Sequence, residues 1–372
     1  ILHLFLQNST INPSTNITIT GSKSESNRLL LLKALFKTLE IQNVSNSDDS
    51  QYMLKALNSE ATTVDIHHAG TAMRFLTAYF ATLEGRTTLL TGSQRMQERP
   101  IKILVDALRA LGADIEYEKE EGYPPLRITG KSLIKDEVRM KANVSSQYIS
   151  ALLLMATKLE NGLKLHLEGK ITSVPYINMT LSLLNQLGVD THFEGQVIQV
   201  NPYLETASKT FTVESDWSSA SYFYSIIALS PVGTQINLST YKKDSLQGDA
   251  VLQEIYAHLG VQTTFHGAQI NLQKVNTSLP DCLELDLANA PDIAQTIVVT
   301  CLGLQVKCNL TGLHTLKIKE TDRLQALKNE IYKFGTSIEI TGDSLHLLAL
   351  NPLESGAVVA TYNDHRMAMA FA

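Results

Sequence analysis

Cysteine is scarce in this chain, and the three present, Cys282, Cys301 and Cys308, show no CxxC spacing. They make neither a disulfide framework nor a zinc site, which suits a reducing compartment, so the cytoplasm is the expected location. Long hydrophobic runs are missing too: the longest, around residues 297–304, falls well short of a bilayer span. The opening residues lack the order of a secretory signal, and no membrane partner is expected. Positive charge is not in excess. The net charge of −6 argues against a nucleic-acid partner, which calls for a broad basic face. Neither GxGxxG nor HExxH occurs, and Gly21-Ser22-Lys23-Ser24 ends like a P-loop without the glycine five residues earlier. His67, His68 and His365 form no convincing metal set and read as packing or hydrogen-bonding residues, while Met367 and Met369 read as core.

What remains is an ordinary globular composition, 44% hydrophobic and 18% charged over 372 residues, which is comfortable for two domains. Its clearest internal signal is a recurring junction: Leu111-Gly112-Ala113-Asp114, Leu187-Gly188-Val189-Asp190, Leu259-Gly260-Val261-Gln262 and Phe334-Gly335-Thr336-Ser337. The spacing of roughly 75 residues points to copies of a small subdomain rather than a solenoid. Before each glycine the apolar residues keep helical spacing, as in Leu104, Leu108 and Leu111. The glycine ends the helix in a left-handed conformation. After it the period becomes two, as in Val261, Thr263 and Phe265, then Gly267, then Ile270 and Leu272, which predicts a hairpin.

Upstream of each such helix a strand is predicted, near 87–91, 164–168, 235–239 and 307–311, and before it a longer apolar helix with a polar head. Roughly six copies can be traced, the one between Arg28 and His68 shortened and the last incomplete. Helices such as 149–156 and 293–304 are apolar nearly all round and belong at the centre of each group. The expected fold is therefore α/β, with two domains of three units each. Residues 21–213 form one domain. Residues 1–20 and 214–372 form the other, the N-terminal strands returning to complete the truncated last unit.

The heads carry the chemistry. They place Lys23, Ser24 and Arg28, then Gly70, Thr71 and Arg74, then Ser145, Ser146 and Gln147, and finally Arg366 at helix N-termini. The second helices open on Arg99-Pro100-Ile101 and Lys319-Glu320-Thr321-Asp322-Arg323. A helix N-terminus favours an anion by about 0.3–1 kcal/mol, so several cations at such ends call for a bound anion to reconcile them. Among the acids, Asp292 opens an apolar helix and Glu320 is flanked by Lys319 and Arg323. Each can be a cap or an ion-pair partner. A carboxylate among cations also stays ionised near neutrality and can accept a proton from a substrate hydroxyl.

Six motifs follow one another along the chain: Gly21-Ser22-Lys23-Ser24-x-Ser26-Asn27-Arg28, Ala69-Gly70-Thr71-Ala72-Met73-Arg74, Arg95-Met96-x-Glu98-Arg99-Pro100-Ile101, Ser145-Ser146-Gln147, Lys319-Glu320-Thr321-Asp322-Arg323 and Asp364-His365-Arg366-Met367-Ala368-Met369. In this order they closely resemble the 5-enolpyruvylshikimate-3-phosphate synthase family, the shikimate-pathway enzymes inhibited by glyphosate. The resemblance implies two domains, each a pseudo-threefold array of βαβαββ units, with the active site in the interdomain cleft. It implies transfer of the enolpyruvyl group of phosphoenolpyruvate to the 5-hydroxyl of shikimate-3-phosphate, with no metal or organic cofactor. Small-molecule substrates and a monomer are the corresponding expectation.

By motif position, Lys23, Ser24, Arg28, Ser145, Ser146, Gln147, Ser173, Tyr176, Asp292 and Lys319 would hold shikimate-3-phosphate. Lys23, Gly70, Arg99, Gln147, Arg323 and Arg366 would hold phosphoenolpyruvate. Asp292, Glu320 and Lys23 would be catalytic, Asp292 at the hydroxyl and Glu320 at the methylene. The chain departs from the family pattern in four places. His68 and Thr315 stand where asparagine is usual, the 28–68 segment is short, and the sequence stops at Ala372, before the late lysine of the family's site. Two other readings are a non-catalytic phosphometabolite-binding protein and the sister transferase acting on UDP-N-acetylglucosamine. The second needs a reactive cysteine in the loop before its Arg-Pro pair, and residues 92–99 contain none.

Overall fold

The polar heads and glycine stops divide the chain into helices and strands as the periodicity predicts. The computed structural model describes residues 3–7, 9–142, 145–171, 173–204 and 208–372. Two compact units result, one spanning Thr20–Ser215 and one made of Ile1–Ile19 with Asp216–Ala372.

In Thr20–Ser215, strand Thr63–Asp65 leads to helix Gly70–Ala81 and returns as the parallel strand Thr87–Thr91. Helix Lys102–Ala110 and the hairpin Asp114–Tyr117 with Leu126–Thr129 complete the repeat. The next copy runs Glu137–Lys141, Ser146–Ala156, Leu163–Glu168, Val174–Leu187, Thr191–Glu194 and Val197–Val200. Both four-stranded sheets share one order, with the parallel pair outermost to centre and the hairpin beyond it. The shortened copy keeps helix Lys23–Leu35, strand Leu39–Gln42 and helix Asp48–Leu57, and its sheet has only two strands. Helix Gly70–Ala81 is buried at all its residues and packs on Ser146–Ala156 and Lys23–Leu35, so the three helix heads belong to one bundle.

The other unit repeats the scheme with Cys282–Asp286, Ala294–Leu304, Lys307–Thr311, Arg323–Tyr332, Glu339–Ile340 and Leu345–Leu347. Its second copy contains Trp217–Ala228, Gln235–Ser239, Leu252–Ala257, Val261–His266 and Gln269–Lys274. The central helix Ala294–Leu304 packs on Trp217–Ala228 and on His365–Phe371. Buried Trp217 meets the Tyr241 ring edge-on at 4.7 Å. The hydroxyls of buried Tyr224 and Tyr256 hydrogen-bond Thr263 and Thr300, so these rings pack without an orphaned polar end. At the four helix stops, Gly112, Gly188, Gly260 and Gly335 all have positive φ, between 79° and 110°.

The N-terminal expectation needs correcting. Only Ser14–Thr18 is a strand, with none at 3–7 or 9–13, and it does not join the last unit. It lies parallel to Gln235–Ser239, in register from Ser14 opposite Gln235 to Thr18 opposite Ser239. The physical reason is an exchange of strands. The strand just before helix Trp217–Ala228, Lys209–Thr212, is already paired with Leu39–Gln42, which leaves the Trp217 copy without a leading strand of its own. Ser14–Thr18 supplies it. Met369 also departs from its assignment: Met367 is fully buried, whereas Met369 is on the exposed side of the same helix.

Candidate active site

In the unit containing Asp216–Ala372, four helix heads bring charged side chains together. Arg323 is the first residue of its helix, whose N-cap, Asp322, accepts from the Gln325 amide. Its side chain is 1% exposed and meets three carboxylates: Nε donates to Asp364 Oδ2 at 2.7 Å, Nη1 to Asp292 Oδ1 at 2.9 Å and Nη2 to Glu320 Oε2 at 2.8 Å. Asp364 caps the last helix through the Arg366 amide. Asp292, in the turn Pro291–Ile293, also has Lys319 Nζ at 3.3 Å and Arg366 Nη2 at 3.4 Å. Arg366 Nη1 donates to the Asp292 carbonyl at 3.0 Å and Nη2 to Ser218 Oγ at 3.3 Å. Burial opposes the Arg366 charge, but nearby carboxylates, Asp292 foremost, outweigh it and raise its pKa. Asp292, Lys319, Glu320, Arg323 and Arg366 thus form one cluster.

In Thr20–Ser215 the heads are organised by neutral acceptors and one carboxylate. Arg28 is buried; Nε donates to Thr180 Oγ1 at 2.7 Å, Nη1 to the Ser24 carbonyl at 2.7 Å, and Nη2 to Ser150 Oγ at 2.9 Å and the Tyr176 carbonyl at 3.1 Å. Burial lowers its pKa to about 10, with Tyr176 and Glu25 opposing. Arg28 therefore ties Ser24 and Tyr176 together. Lys23 and Ser24 lie half-buried in the first turn of their helix. Ser145 caps its helix through the Gln147 amide, Ser146 is buried beside it, and Gln147 Nε2 reaches Thr71 Oγ1 at 3.4 Å. Ser173 precedes its helix in a left-handed conformation, φ 54°.

Gly70 and Arg99 touch. A Cβ at Gly70 would stand 2.6 Å from Arg99 Nη1, so only glycine lets this guanidinium lie on the helix head. Arg74 and Tyr148 shape the same spot: Arg74 Nη1 donates to the Gly70 carbonyl at 2.9 Å, and Tyr148 Oη to the Pro100 carbonyl at 2.6 Å.

Beyond Asp292 and Glu320, a further carboxylate of the chain stands at these helix heads. Asp49 Oδ2 accepts from the Thr71 amide, and Oδ1 accepts from the Ala72 amide and from Asn27 Nδ2. It supplies negative charge at the Gly70 helix as Asp364 does for the last helix. Asp49 and Asp249 were not legible as site residues, and Asp364 stood in a recognised motif without a role. Among the described residues no group of His, Cys, Asp and Glu could hold a metal ion. His67 and His68 face each other, Nδ1 to Nδ1, at 2.6 Å in an exposed turn. Thr315 Oγ1 is buried without a hydrogen-bond partner.

Helix heads that cluster cations and carboxylates on repeated α/β subdomains make this a two-domain α/β fold with a candidate active site. The solved EPSP synthase from Acinetobacter baumannii has this fold: it superposes with a TM-score of 0.75 at 20% identity, covering 96% of this chain and 88% of that one. Residues 57–372 match the family described as EPSP synthase (3-phosphoshikimate 1-carboxyvinyltransferase). A 3-phosphoshikimate 1-carboxyvinyltransferase of Bacteroides fragilis is 49% identical over 360 residues, 96% of this chain and 87% of that protein. One from Histophilus somni is 36% identical over 390 aligned positions, 95% and 88% of the two chains. The chain belongs to the EPSP synthase family and is a transferase.

Proposed function

We propose that this protein transfers the enolpyruvyl group of phosphoenolpyruvate to the 5-hydroxyl of shikimate-3-phosphate and releases phosphate, on the route to chorismate and aromatic amino acids. The observation that carries the mechanism is the pair of carboxylates, Asp292 and Glu320, held by one buried guanidinium, Arg323. In the addition step the substrate oxygen bonds to C2 of phosphoenolpyruvate, its proton passes to Asp292, and C3 takes a proton from Glu320, which enters the step protonated from solvent. In the elimination step the C2–O bond to phosphate breaks, C3 returns a proton to Glu320, and the departing phosphate carries off the proton held by Asp292. Lys23 offsets charge that develops on the adduct.

For shikimate-3-phosphate we assign Lys23, Ser24, Arg28, Ser145, Ser146, Gln147, Ser173, Tyr176, Asp292 and Lys319. For phosphoenolpyruvate we assign Lys23, Gly70, Arg99, Gln147, Arg323 and Arg366. Arginine suits this task because its planar donor pairs match phosphate and carboxylate. The protein would act on small molecules in the cytoplasm, where its cysteines stay reduced, and the net charge of −6 disfavours a nucleic-acid partner. The deciding experiment is phosphate release by the full-length protein. Release is expected only when both substrates are present; no release, or release with UDP-N-acetylglucosamine as acceptor, would overturn the reading.

A second outcome follows from the contact at Gly70. In Gly70→Ala the new methyl displaces Arg99, whose long side chain can yield, so folding is expected to survive. The KM for phosphoenolpyruvate should rise about tenfold or more, since a misplaced charged donor is costly. The KM for shikimate-3-phosphate should change little. Equal increases in both would remove Arg99 from its assigned role.

A further inference from the structure

Asp249 lies outside every motif read from the sequence. It occupies the short turn Gly248–Val251 that leads into helix Leu252–Ala257, and it is only 3% exposed. Its Oδ2 accepts from the Ser218 hydroxyl at short range, and its Oδ1 is buried with no hydrogen-bond partner. Burying a carboxylate with one oxygen unpaired is costly, so something other than packing economy keeps it there. Ser218 Oγ is also the acceptor for Arg366 Nη2, and Arg366 in turn holds Asp292 through the backbone carbonyl and Oδ2. A hydroxyl has one proton. When that hydrogen is directed to Asp249, the Ser218 oxygen is left to accept from the guanidinium.

We propose that Asp249 is a positioning residue for the transfer reaction: its carboxylate accepts the Ser218 hydroxyl's hydrogen bond, orients that oxygen toward Arg366 and so fixes the guanidinium against Asp292. The proposal rests on the transferase reading and deepens it. The charged groups facing Asp249 are Asp216 at the head of the Trp217 helix, Asp292 from the turn before Ala294, and Arg366 from the last helix, with Ser218 between. Burial first, then the Asp292 charge, pushes the Asp249 carboxyl up to about 6, while Arg366 and Ser218 pull it down. Above that pH it is an acceptor only. As pH falls through it, Asp249 gains a proton and the anchor of Arg366 weakens.

The test compares kcat/KM for phosphoenolpyruvate in wild type, Asp249→Asn and Ser218→Ala from pH 5 to 7.5. Taking the ratio of wild type to variant cancels titration of the substrates' own phosphates. At pH 7.5 each variant should be about tenfold poorer, mostly through KM for phosphoenolpyruvate, the scale of one charged hydrogen bond. Toward pH 5 the ratio should fall toward one, because wild type then resembles Asp249→Asn. The double variant should be no worse than either single one. A ratio constant across the pH range, or fully additive losses, would overturn the proposal while the transferase reading stands. If Asp249→Asn does not fold, the Ser218→Ala ratio decides alone, since it breaks the same link. A wild-type protein that releases no phosphate removes the underlying reading, and this proposal with it.

Discussion

Asp292→Asn and Glu320→Gln are each expected to lower kcat by about 10²–10⁴-fold, the usual contribution of a positioned acid or base. Both changes preserve shape while removing the ability to carry the proton. Asp292 is 18% exposed and has Lys319, Arg323 and Arg366 within 3.4 Å, so its amide also loses ion pairs, and modest increases in KM should accompany the loss of turnover. Glu320 is 41% exposed with Arg323 beside it, and its amide should disturb binding less. The two roles separate in deuterated solvent. Glu320→Gln should suppress exchange at the methylene carbon of phosphoenolpyruvate, whereas Asp292→Asn should slow the addition of the hydroxyl. Turnover near the wild-type value in either variant would remove that residue from the chemistry.

Arg323→Ala should be the most destabilising single change in its unit, by about 3–5 kcal/mol, the cost of breaking a buried ion pair by removing one partner. The reason lies less in the lost arginine than in what stays behind. Asp364, with a side chain 0% exposed, would lose its guanidinium partner, and Asp292 and Glu320 would lose the group that holds them close. Arg323→Ala with Asp364→Asn should recover part of the loss, because the stranded charge is gone. The chain has a single tryptophan, and Trp217 is fully buried in this unit. Its fluorescence during urea unfolding therefore follows the relevant unit, which matters where two units need not unfold together. A loss below about 1 kcal/mol would mean that water reaches the cluster and screens it.

The repeat was legible because its signals are local. Glycine at 112, 188, 260 and 335 marks a helix end wherever the rest of the chain goes, and the period-two run after Val261 needs no knowledge of its partners. The helix heads were legible for the same reason. What sequence could not supply is who answers whom across long separations. The sequence places Arg28 at a helix head but does not show its four hydrogen bonds to neutral oxygens, two of them on Ser150 and Thr180 far along the chain. Asp49 lies in the shortened copy, where the pattern is weakest, and only tertiary contact turns it into a cap for the Gly70 helix. Asp249 gave no local signal at all. The partner of Ser14–Thr18 was misassigned because neighbourhood in sequence suggested an incomplete last copy, while the real gap had been opened by Lys209–Thr212 pairing elsewhere.

That exchanged strand sets a timetable for synthesis. Asn16 and its cross-strand partner Asn237 are 221 residues apart. At about 5–20 residues per second, the early strand leaves the ribosome roughly ten to forty seconds before its neighbour exists. The sheets of Thr20–Ser215 can all close in that interval, since every strand they contain has already been made. Ser14-Thr15-Asn16-Ile17-Thr18, with a single aliphatic side chain, is well suited to waiting in water without recruiting another nascent chain.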